Sequence, residues 1–191
     1  MPPISQRRSW ANTLTCSDDL PLSQYTCYLL SMLEIRQATL AEMNIAIGIL
    51  AEAARWLASR GLPSWNPDTL PAVMNVSLTR GDVYLAWIND QPVGTITVQW
   101  SDVLYWGERP DDAGYIHKLA IVRSAAGQHL GAQLLPWAES LIAERGRHYA
   151  RLDCHASNPM INAFYEAAGY QLRGTLTFPE VALNLREKLL G

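Results

Sequence analysis

One stretch constrains this chain more than any other: KLAIVRSAAGQHLGAQLL, from Lys118 to Leu135. It opens as an apolar run rich in strand-forming residues, crosses a turn of small residues, and becomes a leucine-bearing helix. A strand that turns directly into a helix lays that helix against its own sheet, so helices must cover a sheet face. Gly127 and Gly131 fall at the turn and the helix start, where glycine weakens a helix. Close packing against the strand is one explanation. A ligand that needs bare backbone N–H groups is the other, because the first turn of a helix has free donors and a positive dipole end. The spacing is neither GxGxxG nor GK[ST], so a dinucleotide fold and a P-loop are both unsupported.

The remaining elements arrange themselves around this unit. LEIRQAT (33–39) alternates as a strand, and Thr39 with Glu42 forms a capping box for a helix carrying Met43, Ile47, Leu50, Ala54 and Leu57. Gly61 stops it, and a second helix covers about 69–79, ending near Gly81. DVYLAWI, NDQ and PVGTITVQW read as a β-hairpin. After a polar, aromatic loop comes YIHKLAIV, a helix from about 128 to 145, the strand YARLDC, a helix capped at Ser157 or Asn158, and two closing strands. The expected fold is a single α/β (α+β) domain over 33–191, a mixed sheet of about six to seven strands flanked by about four helices. Residues 1–32 read as a flexible or loosely docked lead, with Met32 a candidate true start. Pro136 should kink its helix or remove one hydrogen bond.

Composition removes several classes of function. A formal charge of −3 gives no concentrated basic face, so nucleic acid is not the expected partner. No apolar run approaches the ~20 residues of a membrane span. Three cysteines form neither a disulfide framework nor a CxxC pair, and four scattered histidines contain no HExxH. The expectation is a cytoplasmic protein without a metal.

A second signal is NPMINAFYEAAGY, in which Asn158, Tyr165, Gly169 and Tyr170 follow a fixed pattern after RLDC. A capped amphipathic helix with a glycine stop explains each residue singly. Together with LAIVRSAAGQHLG, the region resembles the GNAT superfamily of acyl-CoA N-acyltransferases, and the element order extends the resemblance over about 33–191. The family's helix-start signature falls on Ala126, Gly127, Gln128, His129, Leu130 and Gly131. Ala126 stands where a long polar residue is usual, and His129 replaces a glycine. The resemblance implies acetyl-CoA as co-substrate. Its pyrophosphate would lie on the N–H groups of 126–131 and Ala132, and its pantetheine arm along Leu119 and Ile121, with Asn158 nearby. An amide near Leu119 would polarise the thioester carbonyl, and a bulge often splays this strand from its neighbour.

The same resemblance makes Tyr165 the general acid at the departing sulfur; a buried core tyrosine is the alternative. His117 is the candidate base, since an imidazole titrates near neutrality, against a structurally bonded histidine. Tyr115, His117 and Leu119 would share one strand face if no bulge intervenes. Glu108, Asp111 and Asp112 could attract a cationic amine, and Cys154 could carry an acyl group or merely pack. Trp56 and Trp65, with Tyr115, are the candidate acceptor-binding residues, in company with Trp100, Tyr105 and Trp106. The expected function is acetyl transfer to a small or amino-acid-like amine, by a protein that could form a homodimer. The alternative is a non-catalytic acyl-CoA-binding or sensing module, which Ala126 and His129 favour.

Overall fold

The computed structural model describes residues 33–191. The expectation of a loosely docked lead falls on residues 1–32, outside those described. Seven strands form one sheet: β1 (Glu34–Gln37), β2 (Val83–Ile88), β3 (Gln91–Gln99), β4 (Ala113–Ile121), β5 (Tyr149–His155), β6 (Gln171–Thr177) and β7 (Ala182–Leu189). Their spatial order is β1-β2-β3-β4-β5-β7-β6. The β4–β5 pair is parallel and every other pair antiparallel, which makes the sheet mixed. The helices are α1 (Met43–Ala58), α2 (Leu70–Arg80), α3 (Val103–Trp106), α4 (Gly131–Glu144) and α5 (Pro159–Ala167). The short α3 is an addition to the expected set, lying in the aromatic loop and burying Trp106.

Local chemistry explains the joints. Asn89 and Asp90 both sit at positive φ, 50° and 59°, the backbone that a tight two-residue hairpin between β2 and β3 requires. Glu42 accepts from the Thr39 N–H at 2.9 Å and pairs with Arg36 at 2.6 Å, fixing the entry to α1. Asn158 caps α5, its side chain accepting from the Ile161 N–H at 3.2 Å.

Strand alternation sorts the core into two layers. Tyr84 and Ala86 of β2 join Ile96, Val98, Ile116 and Leu152 beneath α4 and α5. Val83 and Leu85 face the other way, into a cluster with Ala46, Ile49 and Leu50 of α1 and Leu70, Met74 and Leu78 of α2. α4 seats closely on β4: a Cβ added at Gly114 would fall on Ile142. α4 runs through Pro136 to Glu144, so of the two expected effects the structure realises at least the missing N–H donor.

Candidate active site

The site begins where β4 and β5 part. Their pairing runs from Ala113–Tyr149 to Ile116–Leu152 and stops, although β4 continues to Ile121 and β5 to His155. On its other edge β4 slips against β3. Thr95 pairs with Ala120 and Thr97 with His117, so Lys118 and Leu119 together oppose Ile96. This is a β-bulge, and its first residue, Lys118, sits at φ 50°. A left-handed lysine costs about 1–2 kcal/mol, so the surrounding structure enforces it. The bulge also reverses the alternation: Ile116 faces the α4–α5 layer, whereas Ala120 faces α1 and α2. The expected common face of Tyr115, His117 and Leu119 therefore ends at His117, and Leu119 packs against the α4–α5 layer.

A cavity of about 510 Å³ occupies the fork. His117, Leu119, Ile121, Asn158 and Tyr165 line it, and so do Trp56 and Trp65 at the end near α1. Tyr115 is not among the lining residues. It is buried beneath Trp106, and its hydroxyl accepts from Arg151 at 3.2 Å. Asp111 and Asp112 are engaged by Arg147 and Arg151, and Glu108 is exposed away from the cavity, so none of the three borders it.

The polar centre is a bridged imidazole. His117 Nε2 lies 3.2 Å from Asp102 Oδ2, and Nδ1 lies 3.4 Å from Asp153 Oδ1. Burial opposes the charged imidazolium, but the two carboxylates beside it outweigh that penalty and raise the His117 pKa. Asp102 comes from the loop before α3 and Asp153 from β5. Alternation could have flagged Asp153, which points away from buried Leu152 and Cys154; nothing in the sequence flags Asp102. One donor atom from each of the three residues would fall within 4.8 Å of the others, a spacing open to a metal ion. The carboxylates sit at opposite ring nitrogens, however, an arrangement better suited to sharing protons than to one common ion.

Around this centre, Tyr165 is buried, and desolvation pushes its phenol well above the ordinary range. Cys154 lines the cavity with its thiol 3.4 Å from Asn162 Oδ1, and burial raises its pKa, as expected of a packing thiol. Arg123 and Arg60 stack on Trp56, 4.2 and 4.6 Å from the ring centre.

Beyond the fork lies the small-residue turn. α4 starts at Gly131, later than the expected 128, because Gly127 and His129 hold left-handed backbones at φ 83° and 55°. The N–H groups of Ala126 and Ala132 bond within the turn, to Arg123 and His129. Those of Gly127, Gln128, His129, Leu130 and Gly131 make no hydrogen bond to another described residue. Among the described residues, a Cβ at Gly127 would meet nothing within 4 Å, and one at Gly131 only the Phe164 ring at 3.8 Å. Open space and a run of free donors fit a pyrophosphate.

The model of the Acetyltransferase (GNAT) family matches residues 50–170, which span β4, the turn, α4, β5 and α5. The chain belongs to the GNAT acetyltransferase family. It is an acyltransferase, and the family's acetyl donor is acetyl-CoA. It is 29% identical over 136 residues to the uncharacterized N-acetyltransferase YesJ of Bacillus subtilis, covering 66% of this chain and 75% of that protein. A GNAT acetyltransferase from Listeria monocytogenes superposes with a TM-score of 0.67 at 22% identity, over 83% of this chain and 95% of its own. The PaiA N-acetyltransferase of Thermoplasma acidophilum, solved with coenzyme A, gives 0.62 at 18%, over 82% and 98%. An acetyltransferase of Salmonella typhimurium that modifies the N-terminal serine of a ribosomal protein gives 0.63 at 17%, over 83% and 95%. Among the described residues no helix is long and apolar enough to cross a membrane.

Proposed function

We propose that this GNAT acetyltransferase acetylates the primary amine of a small molecule by direct attack on the thioester, with His117 as base and Tyr165 as acid. The observation that carries the reading is that both side chains line the one cavity at the β4–β5 fork. Acetyl-CoA, when bound, supplies the activated acyl group. The free amides of Gly127 to Gly131 hold its phosphates. The edge of β4 at Leu119 and Ile121 takes the pantetheine arm as an added strand, and the Leu119 N–H polarises the carbonyl. Asn158 supports this end by fixing the start of α5.

The acceptor's obstacle is its proton. An amine with a pKa of ~10.4 is nucleophilic in only about one molecule in 2,500 at pH 7, a penalty of ~4.6 kcal/mol. Neutral His117, acting through water, first passes that proton to solvent; the freed amine nitrogen then bonds to the acyl carbon, and His117 takes a second proton from the adduct nitrogen. Asp102 and Asp153 then flank the imidazolium at 3.2 and 3.4 Å. As the carbon–sulfur bond breaks, Tyr165 gives its proton to the sulfur, which leaves as a thiol. Burial keeps the phenol protonated until negative charge develops beside it. His117 then returns its proton to the phenolate through solvent. Trp56, Trp65 and Tyr105 narrow the acceptor end, which favours a small molecule over a protein chain.

Thiol release from acetyl-CoA across a panel of amines tests the proposal. Tyr165→Phe should lower kcat about a hundredfold with acetyl-CoA affinity nearly constant. An unchanged kcat would remove Tyr165 from the reaction.

A further inference from the structure

The bulge places one more charge in the cavity than amine acetylation uses. Lys118 lines the cavity, half-buried at φ 50°. Among the described residues its ammonium group has no hydrogen bond and no ion pair, although Asp102 and Asp153 are near enough to act on its charge. Burial lowers its pKa, as expected for a cation that lacks a direct partner. The other basic groups of the cavity are placed differently. Arg123 stacks on Trp56, and burial biases His155 toward its neutral form.

We propose that Lys118 receives the carboxylate of an amino-acid acceptor whose α-amine lies against His117 and Asp153. This rests on the acetyl-transfer reading above. An α-amino acid carries its amine and carboxylate on a single carbon, so the base and the cation must be close neighbours. Consecutive residues of the bulged strand, both on the cavity wall, meet that demand. A simple amine would satisfy the carboxylates and leave Lys118 a partly buried, unpaired cation, which is unfavourable. The coenzyme's phosphates do not compete for Lys118, because their cradle lies beyond the fork at Gly127–Gly131. Trp65 and Tyr105 leave an apolar wall for the acceptor's side chain.

The test compares L-phenylalanine with phenethylamine, and L-tryptophan with tryptamine, as acceptors from acetyl-CoA. In the wild type the amino acids should have kcat/KM at least about tenfold above their decarboxylated partners. Lys118→Gln should collapse that ratio, and Lys118→Arg should restore part of it. A general structural loss would lower both members of each pair and spare the ratio. Equal or better use of the simple amines, or a ratio unmoved by Lys118→Gln, overturns the proposal. So does a Lys118-dependent preference for succinyl-CoA over acetyl-CoA, which would put the anion on the donor. An acetyl group found on Lys118 itself by peptide mass spectrometry would make it an acceptor instead. Acetyl-CoA binding by calorimetry without transfer to any of the four acceptors overturns this inference and leaves the coenzyme site standing. No binding removes both.

Discussion

Gly131→Ala should move stability and affinity in opposite directions. Gly131 is the first residue of α4, and an added Cβ would find only the Phe164 ring, at an ordinary 3.8 Å. No atom of the described residues therefore opposes alanine. Its better helix propensity should stabilise the unliganded protein by about 0.5–1 kcal/mol. For a domain of this size that corresponds to a melting temperature higher by about 1–4 °C. Acetyl-CoA should respond the other way. If the phosphates rest on the free amides of 127–131, the new methyl group holds them off. Loss of one charge-assisted hydrogen bond, about 1.5–3 kcal/mol, weakens binding roughly 10- to 150-fold. Thermal unfolding without ligand and calorimetric titration with acetyl-CoA measure the two effects separately. A variant that melts higher and binds acetyl-CoA as tightly as the wild type would refute the cradle.

Three further outcomes follow from the same geometry. His129→Gly should relieve the left-handed backbone at φ 55° and stabilise the protein by about 0.5 kcal/mol, read by denaturant unfolding; a loss of stability would show that the histidine is unstrained there. Because the His117 pKa is raised from 6.5, kcat/KM should rise with pH through a midpoint above 6.5, and Asp153→Asn should move that limb to lower pH; the same shift stabilises the fold below about pH 6.5 and fades as pH rises through the folded-state pKa, and an acidic limb indifferent to Asp153 would count against His117 as base. Gly114→Ala should drive a methyl group into Ile142, cost about 1–3 kcal/mol and lower the melting temperature by about 2–12 °C, with Ile142→Val restoring part of the loss; an unchanged melting temperature would mean that α4 is not seated as described.

Much of this arrangement was legible in the chain because it is local. The Asn89–Asp90 turn, the stops at Gly61 and Gly81, the Asn158 cap and the strand–turn–helix at 118–135 each follow from neighbouring residues. The bulge is different. Lys118 looks like an ordinary strand residue, and only its pairing with β3 shows that two residues oppose Ile96. That single slip meets the condition under which Leu119 would leave the face of Tyr115 and His117, and it does leave it. Asp102, His117 and Asp153 come from a loop and two strands, so no sequence spacing relates them. Tyr115 failed as a lining residue for a related reason: β4 alternates correctly there, but α3 brings Trp106 down over it.

The order of the last strands bears on how the protein is completed during synthesis. β7 follows β6 in the chain yet inserts between β5 and β6, and Val181 and Leu183 at its start wall the far side of the fork. Until that segment leaves the ribosome, the outer edge of β5 has no neighbour and the groove lacks one flank. A nascent chain halted after α5 would hold every proposed proton-transfer residue and still have an unfinished vessel, so competence should arrive late and abruptly.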